Sequence, residues 1–277
     1  MQQPQVFFSD AEPGQRFNIF YPAQSNTPRG TIVYVHPFAE EMNKSRRMAA
    51  VTARRLAQAG FGVLQVDLHG CGDSSGDFGD ASWSNWVQDV VQASQHALRL
   101  SPAPLWLWGL RAGCLVASEA ARHLDVAANF IFWAPPSNGS LLLQQFLRLK
   151  LAGDMVSGGA KGGMEALRQQ LASDQAVEIA GYQLAPALAN GLGAATLAAP
   201  RQTGHLLWLE ISNKPDATLS PASNKTIATW QNAGVQVHSE IVPGPAFWQT
   251  SEIELAPALE EATLSAIRQT LLPEVAT

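Results

Sequence analysis

The most informative segment for possible catalytic chemistry is a tight-turn motif whose central residue is not a nucleophile. Residues 108–113 read WGLRAG and keep both glycines of the G-x-S-x-G nucleophile elbow, in which a serine sits on a sharp strand-to-helix turn. Here the central position is Arg111. A guanidinium group stays protonated and cannot attack a carbonyl. The motif therefore predicts the turn without its usual chemistry.

The residues on either side of the motif predict the strand and the helix that such a turn requires. Residues 105–108 form a short apolar run after Pro102 and Pro104, which is typical of a buried strand. Residues 112–124 are mostly helix formers, with apolar residues spaced for one buried face.

Of the other two members of a Ser-His-Asp triad, only the acid has a plausible counterpart in the sequence. Asp216 follows a predicted strand, where the triad acid is expected. After the last predicted strand, Ala246 precedes Phe247 and Trp248 and occupies the position where an imidazole is expected. Loss of the serine or the histidine from such a triad costs on the order of 10⁶ in kcat. Two absences on an intact scaffold predict a repurposed site.

Other residues could attack an ester, amide or acyl group. Cys71 and Ser74 lie in a turn-rich loop, residues 67–80, and His36 ends an early strand and could serve as a base. An activated water is the further alternative. Turn chemistry accounts for the aspartates of the loop, and no metal is predicted.

Arg111 could instead bind an anion. It stands at the start of a predicted helix, and a helix N-terminus already favours negative charge. A carboxylate, phosphate or sulfate could pair with the guanidinium in bidentate fashion. The competing interpretation is an internal ion pair with Glu40, Glu41 or Asp216, and the sequence leaves both open.

Strands alternate with helices along the chain, which predicts an α/β fold with a mostly parallel, doubly wound sheet. The alternation breaks after the strand that ends at Trp133, so residues 141–200 are predicted to form a helical cap inserted into a core of residues 1–140 and 201–277. The predicted strands are 15–21 (an edge strand), 31–35, 62–67, 105–108, 130–133, 205–211 and 235–242. The predicted helices are 45–59, 82–100, 112–124, 221–232 and 251–272.

Composition narrows the class of protein. The chain has 277 residues, of which 46% are hydrophobic and 15% charged, which favours a large core. A formal net charge of −5 without a basic stripe argues against nucleic-acid binding. Two cysteines give no disulfide framework, and neither a signal peptide nor a membrane span is evident. We expect a cytoplasmic protein with no cofactor.

Four segments carry a family resemblance: residues 36–47, 70–78, 109–113 and 244–248. They resemble the second of two hydrolase-like proteins associated with bacterial exosortase A systems. The resemblance implies an α/β-hydrolase fold and a setting in exopolysaccharide production and sorting of PEP-CTERM proteins. It implies no established substrate. It also implies that Arg111 and Ala246, although they depart from the broader hydrolase pattern, are ordinary in this subgroup.

Two functional hypotheses follow, and the sequence leaves open whether the chain is an enzyme. One is a binding protein for a small anionic, acyl or saccharide-linked ligand; the other is a hydrolase with a non-standard nucleophile. A protein partner could also dock on the apolar segment 184–199 of the cap. The residues expected to bind the ligand are His36, Phe38, Glu40, Arg111, Ala112, Phe247 and Trp248.

Overall fold

The computed structural model describes residues 3–157, 163–200, 202 and 204–271. Ten strands are present in this part of the chain, eight of them in one central sheet. The strands are β1 (Gln5–Asp10), β2 (Gln15–Tyr21), β3 (Gly30–Val35), β4 (Phe61–Val66), β5 (Leu105–Leu110), β6 (Ala128–Trp133), β7 (Val177–Ile179), β8 (Tyr182–Leu184), β9 (His205–Ser212) and β10 (Gln236–Pro243).

The central sheet has the order β1-β2-β4-β3-β5-β6-β9-β10. Strands from β4 to β10 in this order pair in parallel, whereas β2 is antiparallel to both β1 and β4. The mostly parallel sheet is therefore confirmed. The strand predicted over residues 15–21 is confirmed as β2, but its predicted place at the edge is wrong, because β1 pairs with β2 and is itself the edge. Val6 and Phe8 of β1 face solvent, so that strand lacks the polar–apolar alternation that would have revealed it.

Helices cover both faces of the sheet. The longer helices are α1 (Glu40–Gln58), α2 (Trp83–Leu100), α3 (Ala112–Ala120), α4 (Gly139–Ser157), α5 (Met164–Ala172), α6 (Pro186–Ala194), α7 (Pro221–Asn232) and α8 (Pro257–Gln269). One hydrophobic core lies between the sheet and α1 and α8, and the other lies between the sheet and α2, α3 and α7. None of the helices described is both long and apolar enough to cross a membrane.

The helix predicted over 221–232 is confirmed, with Ser220 capping its N-terminus through a hydrogen bond from the Ser223 amide (3.0 Å). The helix predicted from Ser45 begins five residues earlier, at Glu40. Glu40 and Glu41 thus occupy the first turn of α1, where carboxylates are favoured by the helix dipole.

Between β6 and β9 the chain forms α4, α5, a β7–β8 hairpin and α6. Residues 158–162 of the predicted cap lie outside the described residues. The leucines of segment 184–199 point inward: Leu184, Leu188 and Leu192 are fully buried. Those leucines pack within this chain, and a protein partner at the cap stays a prediction.

Candidate functional site

Arg111 sits at the apex of a strained turn between β5 and α3. Its backbone has φ 55° and ψ −118°, a conformation that non-glycine residues seldom adopt. The turn is fixed by a hydrogen bond from the Arg111 amide to the Trp133 carbonyl (3.0 Å) and another from the Cys114 amide to the Arg111 carbonyl (3.0 Å). This is the geometry of a nucleophile elbow.

The two glycines of the motif are required by packing. A Cβ on Gly109 would lie 2.5 Å from the Cys114 amide nitrogen, inside the turn. A Cβ on Gly113 would lie 2.1 Å from the Val35 carbonyl oxygen, so α3 could not rest against β3. Small residues at both positions let the helix start directly behind the strand.

The Arg111 side chain turns toward α1 and α4. Its Nε donates to Glu41 Oε1 at 3.2 Å, and Nη2 donates to Gln145 Oε1 at 3.0 Å. The guanidinium carbon lies 5.8 Å from the centre of a Trp248 ring, within range of a cation–π contact. Arg111 is thus held from three parts of the chain.

Glu41 neutralises Arg111 inside the cleft. Its side chain is 11% exposed and that of Arg111 is 13% exposed, so the pair is largely shielded from water. Burial raises the pKa of Glu41, while the charge of Arg111 and hydrogen bonds from Arg111 and Gln249 act against this rise. The internal ion pair that the sequence left open therefore forms, with Glu41 as its acceptor, whereas anion binding by Arg111 stays a prediction.

The ion pair nevertheless leaves an open cavity beside it, which we call the elbow cavity. Its volume is about 470 Å³. The apolar side chains of the wall come from α4 and from the loops after β3 and β10, and the polar ones come from α1, α4, the elbow and the loop after β10. The lining residues are Phe38, Glu40, Glu41, Lys44, Arg111, Leu142, Gln145, Phe146, Leu149, Trp248 and Gln249.

The charges of the elbow cavity balance: two carboxylates, Glu40 and Glu41, face two cations, Lys44 and Arg111. Glu40 Oε2 is buried and has no hydrogen-bond partner among the described residues. Burial raises the pKa of Glu40, and its own amide, Lys44 and Arg111 lower it. An occupant of the cavity could donate a hydrogen bond to this oxygen.

Four of the seven residues expected to bind a ligand line the elbow cavity: Phe38, Glu40, Arg111 and Trp248. The other three do not. Ala112 is buried beneath the turn, and Phe247 is fully buried edge-to-face against Trp133 and Trp248.

The structure places His36 away from the elbow cavity. Its Nε2 accepts from the Leu68 amide (3.2 Å), so the ring proton is on Nδ1, which donates to the Pro37 carbonyl (2.8 Å). Burial lowers the pKa of His36, which keeps the ring neutral. With both nitrogens engaged by backbone, His36 has a structural role and no free site for a substrate proton.

The two positions matched to the acid and the histidine of the triad also lie outside the elbow cavity. Asp216 is exposed in a turn after β9, and Ala246 is half-buried against the core under α8. Neither lines the elbow cavity.

Neither proposed substitute nucleophile is activated. The Ser74 hydroxyl donates to the Asp67 carbonyl (2.5 Å) and accepts from the Phe17 amide (2.9 Å), so it ties the loop to β2. Burial raises the pKa of the Cys71 thiol, and the charges of Asp67 and Asp89 raise it further. Within the described residues, no hydrogen bond joins either side chain to a histidine ring. Cys71 and Ser74 are both buried within the loop that follows β4.

Sequence reasoning missed one wall of the cavity. Leu142, Gln145, Phe146 and Leu149 come from α4, and Gln249 follows Trp248. The i, i+3, i+4, i+7 spacing of the α4 residues marks one helical face. The sequence is enough to predict this helical face, but it does not show that the face lines the cavity.

A predominantly parallel sheet, an elbow after β5 and a cavity beyond the carboxyl ends of the strands define this protein as an α/β-hydrolase-fold protein. The model of the Hydrolase_4 family, described as serine aminopeptidase, S33, matches residues 26–200. Because this match takes in more than half of the sequence, the chain belongs to that family.

Individual proteins support the same fold. Est1E from Butyrivibrio proteoclasticus, solved with ferulic acid bound, is 15% identical with a TM-score of 0.66, and the match covers 96% of this chain and 99% of that one. A soluble variant of monoglyceride lipase from Saccharomyces cerevisiae, in complex with a substrate analogue, is 14% identical with a TM-score of 0.61, covering 100% and 97%.

A human protein, ABHD12B, is 33% identical over 106 residues. That match covers 38% of this chain and 28% of the human protein, so the chain spans less than a third of that protein's length.

Proposed function

We propose that this protein is a non-hydrolytic member of its family that binds a small carboxylate-bearing ligand in the elbow cavity. The observation that carries the proposal is the Arg111 guanidinium, which stands at the nucleophile position and faces an open cavity of about 470 Å³. An arginine at this apex can hold an acid group but cannot attack an ester.

The polar groups of the cavity favour a ligand with two different ends. Arg111 uses Nε for Glu41 and Nη2 for Gln145, and Nη1 has no partner among the described residues. Together with Lys44 it can receive a carboxylate. Glu40 Oε2, which also lies within reach of the charges of Lys44 and Arg111, can accept a hydrogen bond from a hydroxyl of the ligand.

The apolar wall favours a flat or chain-like body between these ends. Phe38 and Phe146 meet edge-to-face with ring centres 4.8 Å apart, and Trp248 closes the side near Arg111. In this proposal residues 141–200 act as a cap, because α4 supplies the wall opposite the elbow. A hydroxylated aryl or alkyl carboxylate fits this combination of surfaces.

The test compares a carboxylate with its neutral methyl ester. Ferulate and methyl ferulate share one aromatic body and one phenol, and differ in the charge that Arg111 would bind; octanoate and methyl octanoate repeat the comparison without the ring. Isothermal titration should show that at least one acid binds about tenfold more tightly than its ester, as expected for one charge-assisted hydrogen bond. Chromatography of the methyl esters after incubation should show no free acid released by the protein.

Substitutions identify the site. Arg111→Met should remove the preference for the acid, whereas Arg47→Met should keep it, because Arg47 is an exposed arginine of α1 outside the cavity. The double variant Arg111→Met/Glu41→Gln repeats the test without an unpaired carboxylate. Release of acid that Cys71→Ala abolishes would show a hydrolase and overturn the proposal. Equal binding of acids and esters would overturn the assigned ligand chemistry.

We further propose that the protein acts in a bacterial exosortase A system. The support is the resemblance of residues 36–47, 70–78, 109–113 and 244–248. Deleting the gene in a host with such a system should impair exopolysaccharide production or sorting of PEP-CTERM proteins. The wild-type gene should restore it and the Arg111→Met variant should not; an unaffected deletion strain would refute this assignment.

A further inference from the structure

A second cavity, which we call the α1 cavity, lies between α1 and the sheet. Its volume is about 240 Å³. Its floor crosses three adjacent strands, because Gln65 of β4 is paired with Ile19 of β2 on one side and with Tyr34 of β3 on the other. Its roof is the face of α1 that carries Ala49 and Ala50. These two small side chains leave the space open.

Two buried polar atoms of this floor have no hydrogen-bond partner among the described residues: the Tyr34 hydroxyl and Gln65 Nε2. Tyr34 is 5% exposed. The neighbouring Ser45 hydroxyl donates its own hydrogen to the Met42 carbonyl (3.0 Å). Burial raises the pKa of Tyr34, an effect that Ser45 opposes, so the phenol keeps a proton to donate. Unpartnered buried donors of this kind are uncommon in native proteins.

Charged groups of the same wall add to these donors. Arg46 is engaged with Asp67, with Nη2 2.9 Å from Oδ2, and the Asp73 amide donates to the same oxygen (3.1 Å). Arg54 lies over the Tyr21 ring at 5.9 Å from its centre. The lining therefore carries two arginines against one carboxylate that is already bound. The surplus is one positive charge.

We infer that the α1 cavity is a binding site for a small oxyanion, a carboxylate or a phosphate, held by the Tyr34 hydroxyl, Gln65 Nε2 and the Arg54 guanidinium. The Tyr34 hydroxyl, Gln65 Nε2 and the Arg54 guanidinium can each donate a hydrogen bond, and one oxyanion could accept from all three. The site is separate from the elbow cavity and does not depend on the function proposed for it.

The test titrates the full-length protein with sodium phosphate and, separately, sodium acetate at constant ionic strength set with sodium chloride. We expect saturable binding of one anion per chain by calorimetry, with a rise in the thermal midpoint that the chloride control lacks. Binding of both anions indicates a general oxyanion site. Binding of only one shows whether the site is selective for phosphate or for a carboxylate. Absence of saturable binding by either would overturn the inference.

Variants locate the anion. Tyr34→Phe removes only the hydroxyl and should weaken binding about tenfold, as should Arg54→Met, each having lost one hydrogen bond to a charged ligand. Ala50→Leu should abolish binding by filling the space. Tyr182→Phe, a phenol outside the α1 cavity, and Arg47→Met are the matched controls that should bind as wild type does.

The two cavities are told apart by Arg111→Met. If the anion occupies the α1 cavity, this variant binds phosphate as tightly as wild type. Binding that is lost in Arg111→Met and retained in Tyr34→Phe would place the anion at the elbow and overturn the inference. A Tyr34→Phe variant that is more stable and unchanged in its response to phosphate would mean that water alone fills the cavity, which also overturns it.

Discussion

At the scale of single residues, the feature that sets this protein apart is a charge at the apex of an elbow and the countercharge that accompanies it. Arg111 brings a cation to the N-terminus of α3, where the helix dipole disfavours it. Glu41 of α1 offsets that charge at 3.2 Å, and Gln145 and Trp248 hold the guanidinium in place. The pair behaves as one unit, so neither residue can be changed without affecting the other.

We predict that Arg111→Met costs about 2–4 kcal/mol of unfolding free energy at pH 7, because it leaves a buried carboxylate unpaired. Adding Glu41→Gln should recover most of that loss, which gives a coupling energy of about 1–3 kcal/mol in a double-mutant cycle. Urea unfolding of the four proteins measures the cycle.

The loss of unfolding free energy caused by Arg111→Met should also become smaller as the pH falls. The pKa of Glu41 is already raised in the folded protein, and losing the cation raises it further. The folded state then takes up a proton more readily than the unfolded one and gains stability in acid. Arg47→Met serves as the control. Additive losses from the two substitutions would contradict the pairing.

At the scale of elements, the elbow depends on how closely α3 approaches β3 and β5. Gly113 lies against the carbonyls of Val35 and His36, with no room for a side chain. The strand-turn-helix unit therefore persists whether or not its apex carries a nucleophile. Its geometry is set by backbone packing and not by the chemistry of the site.

Two glycine-to-alanine substitutions should have opposite effects. Gly113→Ala should destabilise the protein by more than about 3 kcal/mol or prevent folding, since its Cβ would lie 2.1 Å from the Val35 oxygen. A Cβ added at Gly153 in α4 would meet no atom of the described residues within 4 Å beyond its own helix, so Gly153→Ala should stabilise the protein by up to about 1 kcal/mol. Thermal unfolding measures both, and similar effects would refute the packing argument.

At the scale of the whole molecule, a buried ion pair joins the antiparallel end of the sheet to the helix layer. Arg16 of β2 and Asp89 of α2 are each 2% exposed, with Nε 2.7 Å from Oδ1. The other oxygen of Asp89 accepts a hydrogen bond from the His69 amide (2.7 Å), so the pair also contacts the loop after β4. Burial raises the pKa of Asp89 to about 6, although His69 and Arg16 lower it. Desolvation therefore outweighs the pairing.

This balance predicts a pH dependence of stability. Between about pH 4 and pH 6 the folded protein holds a proton on Asp89 that the unfolded chain has lost, so raising the pH disfavours the folded state. The unfolding free energy of wild type minus that of Asp89→Asn should fall by up to about 3 kcal/mol across this range. Urea unfolding at several pH values measures the difference. A difference that rises with pH would mean that the attraction of Arg16 dominates.

Much of the fold followed from local patterns. The parallel strands, the elbow glycines and the helix over 221–232 could be predicted because their signals are apolar periodicity and turn chemistry within a few neighbouring residues. The start of α1 and strand β1 could not. Ala39, at the N-cap of α1, has no capping side chain, and β1 is recognised only through its pairing with β2.

Residue types and spacing were enough to predict an arginine at the apex of a hydrolase-type elbow and an alanine where an imidazole is expected. They did not predict that Glu41, and not Glu40 or Asp216, pairs with Arg111. Nor did they predict that α4 forms a wall of the cavity or that backbone groups engage both nitrogens of His36. Residue type and spacing fix backbone conformation locally, whereas partners 34 to 70 positions apart meet only when helices pack on the sheet.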